Sequence, residues 1–322
     1  MKRKILSLVA LALCVVMVLA ACGGGGGSSE VRLIMATGGV AGTYYPFGGV
    51  MAGVINNHTD MQITVNASGA SADNIQQIGA GDAHLALAQN DVMYYAFHGV
   101  SIWEERPQVT NLATLMTLYP ETVQVVVDAG SGIYTVDDLQ GMRVSVGDVG
   151  SGVEANANQV LAAFGLSQAD ITVFNLGFGA SADAMRDGQL DAFFVTSAAP
   201  NTAVMDLAIA RDLRILPIDG EQAAQLMSDY PFYVSVTVDS SHYGFLDAPV
   251  STLAVQATLI TSTDLDEELA YQIVRTLIEQ QAQVLEGHAR GADISAHNAV
   301  QSISVDLHPG ARRFFEEIGV LP

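Results

Sequence analysis

Gly147-Asp148-Val149-Gly150-Ser151-Gly152 stands between an apolar strand-like run and a helix-like one, a placement suited to binding an anion. The first amides of a helix lack carbonyl partners and the helix dipole is positive there. Ser151 and Gly152 can therefore seat a carboxylate without any basic side chain, with Val153 as the next residue in line. The same residues also read as a tight turn with no ligand. An earlier glycine turn, Thr37 to Thr43, has the same setting: Gly42 lets backbone come close, and Thr43 and Tyr44 offer a hydroxyl and a phenol. Of the neighbours Tyr44 and Tyr45, one faces the core, because adjacent residues entering a helix point different ways.

Further polar candidates end strands or open helices. Ser71 and Asn74 begin a helix-like segment, where Ser71 is either a ligand contact or an N-cap. Gln89 and Asp91 close a strand; Asp91 is suited to a substrate ammonium, or is a solvated turn residue. Thr196 and Ser197 close the corresponding later strand, with Ser181 as a helix cap. Phe178 and Tyr119 are candidates for the wall and hinge of a cleft, although aromatic residues more often pack in a core.

Catalytic and cofactor signatures are missing from the sequence. The glycines at 147, 150 and 152 run G-x-x-G-x-G, not the dinucleotide order G-x-G-x-x-G, and there is no G-x-S-x-G elbow or H-E-x-x-H pair. The seven histidines have no metal-ligand spacing, so neither metal nor cofactor is expected. The expected class is a binding protein and not an enzyme. Two alternatives stay open: an extracytoplasmic enzyme with Ser151 as nucleophile or a carboxylate as base, and a sensory lipoprotein.

The elements that must position these residues repeat. Gly-Ala-Ser-Ala-Asp occurs at 69–73 and at 179–183, each preceded by a strand-like run that begins Ile-Thr-Val and followed by another. The first half reads as strand 31–36, glycine turn, helix 45–56, strand 61–67, helix 74–78 and strand 84–88. The second repeats it as strand 143–146, turn, helix 153–164, strand 171–176, helix 182–187 and strand 192–196. Two βαβαβ units predict an α/β protein of two lobes, each a mainly parallel sheet flanked by helices, with ligand loops at the carboxyl ends of the strands. Runs 115–118 and 122–127, broken by Tyr119-Pro120, and run 233–238 predict two crossings between lobes, hinged near Tyr119–Glu121 and Tyr230–Tyr233. Strand 253–260 and a long helix over 264–285 follow, then a turn at 308–311 and a final helix over 312–318.

Lys2, Arg3 and Lys4, the apolar run 5–19, and Leu19-Ala20-Ala21-Cys22 predict a lipoprotein signal peptide over 1–21, with Cys22 as the lipid-bearing mature N-terminus. Residues 22–30 are then a flexible tether. The chain carries a net charge of −21, and past the signal segment its ten basic residues are all arginine, against 34 acids. Such a surface repels phosphate backbones, so nucleic acid is excluded as a partner. Half the residues are hydrophobic, which excludes a disordered acidic chain.

Thr37 to Pro46 resembles the opening signature of the TAXI family, the solute-binding components of certain TRAP transporters. Ser68 to Asn74, Leu87 to Asp91, Gly141 to Gly152, Asp191 to Phe194 and His308 to Ala311 follow in the family's order. The resemblance spans nearly the whole mature chain. It implies a type II periplasmic-binding-protein fold, with lobe one from 31–120 and 233–322 and lobe two from 121–232. It also implies a small organic solute, glutamate, glutamine or a related carboxylate, passed to TRAP-type membrane permease subunits from a lipid-anchored, extracytoplasmic position. At Val153 the family often has a hydroxyl residue, so this chain lacks one hydrogen bond to ligand there.

Overall fold

The computed structural model describes residues 30–322. The expected signal peptide, the expected lipid anchor at Cys22 and nearly all of the expected tether lie outside the described residues. Residues 32–322 cluster as one unit by contact.

The first half runs β1 (Val31–Ala36), α1 (Tyr44–His58), β2 (Met61–Asn66), α2 (Ser71–Ala80), β3 (Leu85–Gln89) and α3 (Asn90–His98). A long strand β4 (Leu112–Asp128) leads into β5 (Arg143–Ser145), α4 (Gly152–Ala163), β6 (Thr172–Phe174), α5 (Phe178–Arg186), β7 (Ala192–Ser197), α6 (Thr202–Ala208), β8 (Leu213–Leu216) and α7 (Gly220–Asp229). The chain returns through β9 (Val234–Val238) and β10 (Val250–Ser262), and ends in α8 (Glu267–Glu279), α9 (Gln281–Gly287) and α10 (Pro309–Glu317).

The strands order as β2-β1-β3-β10-β4-β7-β5-β6, with β8 on β4 and β9 on β10. Pairs β1/β3, β5/β6 and β5/β7 are parallel, as βαβ crossovers require. The middle is antiparallel: β10 pairs with β3 and β4, and β4 also pairs with β7. This is the α/β architecture of a mixed sheet with flanking helices expected from the repeat, with β4 and β10 at the middle of the sheet.

The run expected to break at Tyr119-Pro120 is one continuous strand. Pro120 has no amide to give to the ladder, and opposite it Gln256 turns its own amide to Asn90 Oδ1 at 3.0 Å. The ladder absorbs the irregularity as a register shift between Ala257 and Thr258. The segment from 233 packs differently from the expected lobe assignment: Tyr233, Leu253 and Val255 join the core of β5 and α4, and Val238 and Tyr243 join that of α5 and α6. The strand pairing places the return crossing in β10, where Gln256 faces Pro120.

Alternation along the strands explains the layers. In β7, Phe193 and Val195 face the core under α5 and α6, whereas Ala192 and Phe194 face the core under α4. A separate core gathers Ile75 and Ile78 of α2, Val92 and Met93 of α3, and Trp103 against Ala86, Ala88 and Ile260. Between the halves, Asn156 of α4 donates to Asp91 Oδ2 at 2.9 Å and to the Tyr233 hydroxyl at 2.8 Å. That hydroxyl donates to Gln159 Oε1 at 2.6 Å, and Gln159 donates to the Tyr95 hydroxyl at 3.0 Å. Among the described residues no helix is long and apolar enough to cross a membrane.

Candidate functional site

Six strand ends deliver residues to one cavity of about 280 Å³. From the first half come the turn Gly38–Gly42, Thr43 and Tyr44 opening α1, Ser68–Ser71 opening α2, and Gln89 at the end of β3. The second half supplies Gly147, Asp148 and Ser151–Val153 at α4, Leu176–Ala180 at α5, and Thr196 and Ser197 at the end of β7. Glu121 enters from the middle of β4. Four helix N-termini thus meet at one space, at the carboxyl ends of the strands where open α/β sheets hold ligands. The volume lies just under the roughly 300–1000 Å³ of drug-sized pockets and suits a small metabolite.

The α4 turn is fixed by its own hydrogen bonds. Ser151 caps the helix, its hydroxyl accepting from the Glu154 amide at 3.2 Å, while Glu154 Oε2 accepts from the Gly150 amide at 2.7 Å. The Ser151 amide, expected to be free, donates to the Asp148 carbonyl at 3.0 Å. The amides of Gly152 and Val153 are the first of the helix and have no carbonyl four residues back within it. Gly147 holds φ 95°, which a residue with a side chain adopts only under strain, and this bends the chain from β5 into the helix. Gly152 is required for a different reason: a Cβ there would overlap Gln89 Oε1.

The two copies of the repeated pentapeptide both open helices at this cavity, and their serines do the same work. Neither serine is the N-cap that the sequence suggested; Ala70 and Gly177 hold those places. Ser71 Oγ accepts from the Gln89 amide at 3.1 Å, tying α2 to β3, and Ser181 donates to Ser145 Oγ at 2.8 Å, tying α5 to β5. Ala70 has φ 68° and ψ −145°, a costly conformation for a residue with a side chain, and it lies at the cavity wall.

Of the residues proposed from sequence, Gly42, Thr43, Tyr44, Ser71, Gln89, Ser151, Gly152, Val153, Phe178, Thr196 and Ser197 line the cavity. Thr43 and Ser197 join across it by a 2.9 Å hydroxyl–hydroxyl hydrogen bond. Three others stand behind the wall. Asn74 donates to the carbonyls of Thr37 and Leu87, each at 2.6 Å, and so holds two turns together. Asp91 is buried, with its oxygens taken by the Val92 amide at 2.8 Å and by Asn156, and burial pushes its carboxyl up to about 6. Tyr119 packs edge-on against Phe47 with ring centroids 5.5 Å apart.

Glu121, placed in a hinge by the sequence, is a charged lining residue outside the expected site, and Asp148 is another. Glu121 is 3% exposed, and its Oε2 accepts from the Tyr44 hydroxyl at 2.7 Å. Burial pushes its carboxyl up to about 8; the Tyr44 hydrogen bond opposes this and the Asp91 charge adds to it. Its signal in the sequence was the single charged residue inside the apolar run 112–127. Two polar atoms of the wall, Gln89 Oε1 and Thr196 Oγ1, are buried without a hydrogen-bond partner. The lining includes no lysine, arginine, histidine or cysteine. Among the described residues no group of three or more histidine, cysteine or acidic side chains is placed to hold a metal ion.

Solved structures of the same fold are distant in sequence. The alkanesulfonate-binding protein SsuA from Xanthomonas axonopodis pv. citri, bound to MOPS, is 16% identical over 89% of this chain and 83% of its own, with a TM-score of 0.50. An ancestral arginine-binding protein bound to arginine is 14% identical over 80% and 97%, with a TM-score of 0.50. A putative L-cystine ABC transporter protein from Listeria monocytogenes is 14% identical over 82% and 98%, with a TM-score of 0.52. These likenesses place the fold in the type II periplasmic-binding-protein group. The sequence itself matches a family model across residues 35–319, from the end of β1 to just past α10, and the chain belongs to the NMT1-like family.

Proposed function

We propose that this protein is an extracytoplasmic solute-binding protein that closes two lobes on a small organic molecule and hands it to a membrane permease. The observation that carries the reading is the cavity itself. Four helix N-termini and two unpartnered buried polar atoms face a metabolite-sized space that no basic side chain lines. Free amides at helix starts are a seat for an acid group, so the solute carries a carboxylate or a similar anion. The alkanesulfonate-binding and arginine-binding proteins of like fold fit the same general role.

The ordered motifs from Thr37 to Ala311 support the finer reading: a TAXI component serving TRAP-type permease subunits, with glutamate, glutamine or a related carboxylate as solute and Cys22 as lipid anchor. Lobe one is built from 31–120 and the final part of the chain, and lobe two from 121–232 together with β9. They move about β4 near Glu121 and β10 near Gln256.

An enzyme on this scaffold is the weaker reading. Ser151 Oγ is occupied in capping Glu154, and no histidine, lysine or cysteine in the lining could activate it. Melting the protein with candidate carboxylates, then analysing the mixture, separates the two. A binding protein melts higher with its solute and returns it unchanged; conversion to a product favours the enzyme.

A further inference from the structure

Glu121 gives the cavity a polarity that the helix N-termini alone do not. It is a buried acid reached from the cavity, and the side chain hydrogen-bonded to it is the Tyr44 phenol, a donor and not a cation. The Asp91 charge at the start of α3 also acts on it, Tyr119 on its own strand carries a hydroxyl that both Glu121 and Arg290 influence, and Asp148 is a second acid in the cavity lining. The wall of the same cavity holds two buried oxygens without partners, Gln89 Oε1 and Thr196 Oγ1. A protonated amine has three N–H donors, and a carboxylate with two neutral oxygens is a matching set of acceptors.

The anion seat adjoins these acceptors. Gln89 Oε1 fills the space that a side chain on Gly152 would take, so an acceptor lies directly against the first residue of α4. An α-amino acid carries its acid and amino groups one carbon apart and would set one on each. An acid lacking the amino group would leave the acceptors unpaired.

We infer that Glu121 is the specificity-determining residue of the cavity, selecting amphoteric solutes such as α-amino acids over the matching acids that lack the amino group. This rests on the solute-binding reading above. In the unliganded protein burial keeps the Glu121 proton on up to about pH 8. An ammonium placed against the carboxyl favours the charged form, so binding at pH 7 releases a proton to solvent.

Calorimetry on the full chain tests this with matched pairs: the common L-amino acids against their counterparts without the amino group, for example L-glutamate against glutarate. The inference expects the amino member of the best pair to bind about 10- to 100-fold more tightly, the worth of one hydrogen bond to a charged group. It also expects the heat measured at pH 7 to vary with the buffer's ionisation enthalpy in the sense of proton release. Glu121→Gln, checked for cooperative melting, should lose most of that preference; if the variant does not fold, the wild-type pairs and the buffer dependence decide alone. Equal or tighter binding of the acid without nitrogen, or proton uptake, overturns the inference and leaves the solute-binding reading standing. If no pair binds and no small molecule is released on denaturing the protein, the solute-binding reading fails and takes this inference with it.

Discussion

Gly152 and Gln89 occupy one another's space, and the sensitivity of the site to single atoms follows from that. Adding one carbon in Gly152→Ala pushes the Gln89 amide from its buried position while the helix cap made by Ser151 remains. We expect affinity for the solute to fall by about tenfold or more with little loss of fold stability, because two of the polar contacts are disturbed and no core residue is. Titration calorimetry beside thermal melting separates these effects; unchanged affinity would remove the α4 turn from the site. Glu121 makes a second residue-scale prediction. Its carboxyl loses its proton near 4.5 when solvated but only at about 8 when folded, so between these values the folded state holds a proton that the unfolded state does not. Stability must then fall as pH rises across that window. Asp91 adds the same sign of effect between 3.8 and about 6. Urea unfolding should show wild type losing stability between pH 6 and 8, and Glu121→Gln should be flatter there; equal slopes would show that Glu121 does not hold its proton.

At the level of elements, the sequence made the βαβαβ halves readable because their glycine turns, helix starts and β-branched runs repeat in order. The helix expected over 45–56 runs 44–58, and the strand expected over 192–196 runs 192–197. What it hid has physical reasons. Pro120 looked like a strand end, yet the strand continues through it, with a register shift in the ladder beside it and the facing Gln256 amide turned to Asn90 Oδ1. Ser71 and Ser181 looked like caps because serine at a helix start usually is one, but here each bonds a strand or its neighbour instead. Asp91 looked like a cleft residue, and Asn156, distant in sequence, encloses it. The candidate site was legible to the extent that it is built from helix starts; Glu121 was not, because it lies inside a strand and not in a turn or at a helix start. The His308-Pro309-Gly310-Ala311 block belongs to packing. His308 Nδ1 accepts from the Gly310 amide at 3.2 Å and its Nε2 lies 3.0 Å from the Leu265 carbonyl, while a Cβ on Gly310 would overlap the Glu267 backbone. Gly310→Ala should therefore cost about 1–3 kcal/mol by forcing α8 and α10 apart. Chemical denaturation measures it, and a cost near zero would mean that the helices separate freely.

For the whole molecule, β4 and β10 run through the middle of the sheet, and the cavity lies where helix starts of both halves of the chain meet. The Thr43–Ser197 hydrogen bond and the Asp91–Asn156–Tyr233 network join the halves through protein contacts alone, so on the proposed reading a solute would add to these contacts and need not supply all of the drive to close. On the proposed reading such a site has only to hold its guest until a permease takes over. The most direct test is mass spectrometry of the small molecules released when the full chain, purified without added ligand, is denatured. The account predicts one organic acid in near-equal amount to the wild-type protein and far less from folded Gly152→Trp. No released molecule from wild type, or the same yield from both proteins, would contradict it.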